Sequence, residues 1–178
     1  MSGARQPSMT ITKLDAAKSQ LATAIRLYFE DCDPVSVHTL ATAAGEMIDR
    51  LCASGGIRPV RSDFLGVIIP ERRKEIGKRL NKARNFFKHA NLEVLDDFSD
   101  ELNVTAIVMA AEGLRRLEIE LSEARIFATW VAVVEPHLVE TPLVVPVDLD
   151  GLRDQPRGVQ KEFGRQLLHA ARLGSPLI

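Results

Sequence analysis

Cysteine is almost missing from this chain: Cys32 and Cys52 are the only two in 178 residues, which excludes a fold built on a disulfide framework. If the segments on either side of residue 33 form an antiparallel hairpin, Cys32 lies at its connected end. Cys52 then lies at the far end of the second helix, roughly 25–30 Å away, so the two cannot bridge. Aromatic residues make up only 5%. Long hydrophobic runs are also lacking. The longest, Ile126–Val134, is broken by Thr129 and falls far short of the ~20 residues that a bilayer span needs, so it reads as a buried core helix and no membrane association is expected. Residues 1–10 carry no basic stretch followed by an apolar one, which makes the cytoplasm the expected compartment. Nor does one sign of charge dominate: 23 Lys+Arg stand against 24 Asp+Glu, a net of −1. That removes the simplest argument for a nucleic-acid binder, although a local patch can still do such work.

What is present is helix-forming material. Hydrophobic residues make up 46% and charged residues 26%, and Ala and Leu together supply 40 of the 178 positions, a bias toward strong helix formers in a chain long enough for one core. The expected fold class is all-α, an antiparallel bundle of four to five helices with a proline-rich arm and a C-terminal helix. Proline spacing divides the chain into a loose arm over 1–9, a helical bundle over 10–135, an extended arm over 136–157 and the terminal helix over 158–178.

Within the bundle, Leu14, Ala17, Leu21, Ala24, Ile25 and Tyr28 recur at helical spacing to about Asp31. Asp33-Pro34 then supplies a cap and a first-turn proline for a second stripe, Val37, Leu40, Ala41, Ala44, Ile48 and Leu51, which ends at Gly55-Gly56. Two helices with so short a link must be antiparallel. Residues 55–70 read as a connector with one helical turn around Asp63–Val67. A third helix opens at Pro70-Glu71 with a narrow apolar seam of Ile76, Leu80, Ala83, Phe87 and Ala90, and Asn91 is its expected stop. After the acidic DDFSDE turn, two stripes span about 100–135, and the pattern leaves open whether they form one helix or two. Phe163, Leu167, Leu168 and Ala171 mark a last amphipathic helix over about 159–172.

Much chemistry is missing. None of His38, His89, His137 and His169 has a glutamate three residues before it, as a di-iron bundle requires. No His-x-x-x-His or Cys-x-x-Cys pair exists, Gly77-Lys78 lacks the spacing of a phosphate-cradling loop, and there is no Gly-x-Ser-x-Gly elbow. No cofactor and no metal are expected. Asn103-Val104-Thr105 fits a glycosylation pattern but reads as helix-start chemistry. His38, set among Val37 and Ala41, reads as a satisfied, semi-buried histidine.

The third predicted helix departs from neutrality. Over 71–90, eight cations (Arg72, Arg73, Lys74, Lys78, Arg79, Lys82, Arg84, Lys88) face only Glu71 and Glu75, a net of +6. Over 91–125, nine acids face three arginines, a net of −6. Clustered cations attract phosphate even on a neutral protein, and Lys78, Lys82 and Lys88 are the candidate anion-binding residues. The basic helix ends in Arg84-Asn85-Phe86-Phe87-Lys88-His89. This resembles the signature of the HEPN superfamily, small all-α bundles in which an arginine, a following polar residue and a histidine four to six residues on recur. Asn85–Ala90 also resembles an Asn-Phe-Phe-Lys-His-Ala core found in a bacterial group of unassigned activity.

The HEPN resemblance implies a metal-independent endoribonuclease, or an RNA- or phosphate-binding protein, acting as a homodimer, with Arg84, Asn85 and His89 as catalytic residues. Metal-free RNA cleavage needs a base for the 2′-hydroxyl proton, an acid for the leaving oxygen and a cation for the phosphorane. A histidine exchanges protons near neutral pH, an arginine forks onto the non-bridging oxygens, and Asn85, one turn before His89, can orient ring or phosphate. Arg84 and His89 are about 140° apart around a helix, so uniting them requires that the helix end between them or that a second copy contribute. The competing reading is a non-catalytic helical oligomerisation or protein-partner-binding module. In it Arg84 pairs with acids of 93–101 and Lys88 and His89 cap the helix.

Overall fold

In a computed structural model, which describes residues 9–66, 70–89, 94–96, 98–135 and 151–173, the chain is all-helical. The helices are α1 (Lys13–Phe29), α2 (Pro34–Ser54), α3 (Val60–Gly66), α4 (Pro70–Lys88), α5 (Asp100–Arg116), α6 (Ser122–Val134) and α7 (Arg157–Arg172). Thr12 and Asp15 form a reciprocal capping box at the start of α1, and Asp33 caps α2 by accepting the Val35 and Ser36 N–H bonds, with Pro34 in the first turn. The anticipated connector over 55–70 holds a true short helix, α3. Residues 100–135 resolve into two helices. The anticipated arms fall largely outside the described residues, as do Ala90 and Asn91; α4 ends at Lys88.

Three helices close in the same way. After α1, α2 and α5 a residue adopts positive φ (Asp31 at 55°, Gly56 at 73°, Glu118 at 58°). In each case the next N–H reaches back to the carbonyl five residues earlier: Cys32 to Leu27, Ile57 to Cys52 and Ile119 to Leu114. This is the Schellman closure. Glycine carries it only once, so only one of the three stops is written in residue types.

The core is organised around α2. Its buried Ala41 and Ala44, with Gly45, let α5 approach closely, and a Cβ added at Gly45 would lie 3.8 Å from Ala110 Cβ. α1 lies along α2 and is covered by α6 and α7. Tyr28, Phe29, Phe127 and Trp130 form a fully buried aromatic cluster with centroids 5.5–5.7 Å apart. The C-terminal helix is seated by polar anchors as well. Trp130 Nε1 donates to the Gln160 carbonyl at 2.6 Å, and Arg157 pairs with Glu135 above the Trp130 ring. Lys161 Nζ lies over the Tyr28 ring and pairs with Asp31 at 2.7 Å and Asp100 at 2.8 Å. Cys32 and Cys52 are free thiols. Among the described residues no helix is long and apolar enough to cross a membrane.

Candidate functional site

α4 rests on α2 and α3, and its residues divide by face. Lys74, Lys78, Lys82, Asn85 and His89 are all exposed, and their spacing of four, four, three and four residues places them on one outward stripe about 22 Å long. The opposite side carries Ala83 and Phe87, with Arg84 next to them, and these are buried or half-buried; Asn81, half-buried, flanks the stripe. Among the described residues no carboxylate pairs with Lys74, Lys78 or Lys82; Lys82 Nζ lies 3.4 Å from the Asp96 backbone carbonyl.

Arg84 and Lys88 are engaged differently. Both reach Glu46 on α2: Arg84 through Nη1 to Oε1, and Lys88 Nζ to Oε2 at 2.9 Å. Arg84 also donates through Nη2 to Asn85 Oδ1 at 3.2 Å, which couples the inward cation to the outward stripe. Burial pushes the Glu46 carboxyl upward. The Lys88 hydrogen bond and the charges of Arg84, Lys88 and Arg50 more than offset this and hold it below the usual carboxylate range. From α3, Arg61 Nη2 donates to Asn81 Oδ1 at 2.8 Å. α3 is in turn pinned to α5 by Arg116, which pairs with Asp63 at 2.5 Å and with Glu112 at 3.0 Å.

Two expectations change here, one for Arg84 and one for Lys88. Among the described residues the carboxylate partner of Arg84 is Glu46, and none of Asp96, Asp100 and Glu101 pairs with it. Several acids of the −6 segment are committed elsewhere: Asp100 to Lys161, Glu112 to Arg115 and Arg116, and Glu123 to Arg26. Lys88, named as an anion site or a helix cap, is likewise held by Glu46. Of the remaining anion candidates, Lys78 and Lys82 lie on the outward stripe.

α4 ends before His89, yet the His89 N–H still donates to the Asn85 carbonyl at 2.9 Å. The His89 backbone therefore keeps to the helical path. Arg84 turns inward to α2 while His89 is exposed, so a single chain does not bring these two groups together. Asn85 and His89 do share a face.

His38 departs from the satisfied, semi-buried state. It is almost fully buried, with Nδ1 3.1 Å from Asn103 Oδ1, and its Nε2 has no hydrogen-bond partner among the described residues. Phe87 and Phe98 stand edge-on around it. Sequence reasoning missed Glu46, Arg61 and the His38–Asn103 pair. Each acts between different helices, 20 to 65 positions apart in the chain, and their only sequence signal is a polar residue beside an apolar stripe. No protein-family model, curated protein or solved structure matches the chain.

Proposed function

We propose that this all-helical protein is RNA-directed and holds a single-stranded phosphate backbone along the outer face of α4, acting as a homodimer. The observation that carries the proposal is the exposed stripe Lys74, Lys78, Lys82, Asn85, His89. It is a row of cations free of carboxylate partners among the described residues, repeating about every 6 Å and ending in a histidine. Such a row attracts a phosphate chain by counterion release whatever the net charge of the whole protein. Arg84 and Lys88, through Glu46, fix the helix that presents it.

In the catalytic form of this proposal, His89 exchanges protons with the 2′-hydroxyl or the leaving oxygen. Asn85 orients the phosphate, and Arg84 of the second copy offers the part of its donor fork not spent on Glu46 and Asn85. The test is incubation of the full chain with single-stranded RNA in EDTA. Cleavage that disappears in His89→Ala supports the catalytic form, and binding without cleavage supports a binding protein. If concentrated protein neither binds nor cleaves, the proposal fails and the chain is a helical partner-binding module.

A further inference from the structure

Beneath the outward stripe lies a buried titratable group that RNA binding does not use. His38, in the second turn of α2, is 4% exposed. The Asn103 amide nitrogen donates to the Pro34 carbonyl at 3.2 Å and to Asp100 Oδ1 at 3.3 Å, which leaves Asn103 Oδ1 as the acceptor facing His38 Nδ1. In the neutral ring this sets the proton on Nδ1. Its Nε2 is then a bare acceptor, with no partner among the described residues. Phe87 of α4 stands 5.8 Å from the ring and Phe98 5.4 Å, both edge-to-face, and the two phenylalanines pack on each other at 5.3 Å. A neutral imidazole suits this aromatic setting. An imidazolium there would carry a second N–H with no acceptor.

We propose that His38 is a pH-sensitive latch: its protonation displaces Phe87 and releases the C-terminal end of α4, residues 84–89, from α2. The charged groups around it do not favour the cation. Arg84 comes from α4 and bears a like charge. Asp100 of α5 lies behind Asn103 and is committed to Lys161 of α7. Glu46, two turns along α2, is committed to Arg84 and Lys88. Burial, the largest influence, holds the imidazole below the usual histidine range; the Asn103 hydrogen bond opposes this and the Arg84 charge adds to it. A latched His38 therefore refuses a proton that a released one accepts near pH ~6.5. Latching is at full strength above that pH. It weakens as pH falls, by up to about tenfold per unit, until the latched ring itself titrates.

The latch holds whether or not the stripe binds RNA, and its test needs no ligand. Amide hydrogen exchange of the full chain is measured at pH 7.5 and pH 5.5, with rates corrected for intrinsic exchange. The expected result is a loss of protection over 84–89 of up to about tenfold at the lower pH in the wild type and in His89→Gln, the control for the other histidine of that segment. His38→Gln keeps a donor for Asn103 but cannot titrate, and should lose less than about twofold. Equal protection at both pH values in the wild type, or an equal loss in His38→Gln, overturns the latch. Should His38→Gln not fold, imidazole 15N spectra of the wild type decide. A neutral Nδ1–H ring titrating below the usual histidine range supports the latch, whereas an Nε2–H ring, or ordinary titration, overturns it.

Discussion

Replacing Glu46 by glutamine removes the carboxylate that ties α4 to α2, and the structure ranks its two contacts. The Arg84 side chain is 18% exposed and the Lys88 side chain 34%. A hydrogen bond to a charged group in a partly desolvated place contributes about 1.5–3 kcal/mol, and an exposed ion pair about 0.2–1 kcal/mol. Because Glu46 is itself about one-third exposed, we discount the first figure to an Arg84–Glu46 coupling of about 1–2 kcal/mol. For Lys88–Glu46 we expect no more than about 0.5 kcal/mol. Double-mutant cycles pairing Glu46→Gln with Arg84→Gln and with Lys88→Met isolate the two couplings. The assay is urea unfolding followed by fluorescence of Trp130, the single tryptophan, which is fully buried. The denaturant slope should stay unchanged. Equal couplings, a reversed order, or a Glu46→Gln variant within about 0.3 kcal/mol of wild type would refute the tether.

Three glycines give a graded set. A Cβ at Gly164 would sit 2.1 Å from Phe29 Cε1 in an aromatic cluster with no room to give, so Gly164→Ala should lose about 2 kcal/mol despite its gain in helix propensity. A Cβ at Gly113 would meet Ile48 Cγ2 at 2.5 Å, and because that methyl belongs to a stiff β-branched side chain, Gly113→Ala should lose about 1 kcal/mol. Gly77 faces open space, so Gly77→Ala should gain about 0.5–1 kcal/mol; the same unfolding assay orders all three. Lys161→Met should lose about 1–2 kcal/mol at pH 7 by leaving two carboxylates without their cation. The Lys161 hydrogen bond and charge hold the Asp31 carboxyl below its ordinary value. That part of the stability is present above about pH 4 and fades as pH falls through the lowered value, so unfolding curves of wild type and variant should converge in acid.

How much of this could be read in advance depended on distance along the chain. The starts of α1 and α2 are written in local chemistry, Thr12 with Asp15 and Asp33 with Pro34, and the end of α2 in Gly55-Gly56. The break between α5 and α6 falls on Glu118 in the left-handed region, a conformation that residue type does not announce, so the same stretch reads equally well as one helix. The charge pattern over 71–90 picked out α4 as the basic helix. It could not show that Glu46, on a different helix, would occupy Arg84 and Lys88, or that acids of the −6 segment would turn toward α1, α5 and α7. His38 and Asn103 are 65 positions apart, and only packing reveals that the amide locks the ring. Asn85 and His89 were legible as neighbours on one face because their spacing is a helical turn.

The central claim is that the outer stripe of α4 holds single-stranded RNA, and the salt dependence of binding tests it most directly. The affinity of the full chain for a single-stranded oligoribonucleotide is measured from low to physiological salt for wild type and for a Lys74→Gln, Lys78→Gln, Lys82→Gln triple variant. Each phosphate neutralised on a single strand contributes about −0.7 to the slope of log affinity against log salt, so the variant slope should be shallower by about 2 and its low-salt binding weaker by about tenfold or more. A wild type that does not bind, or a triple variant with the wild-type slope and affinity, would contradict the claim.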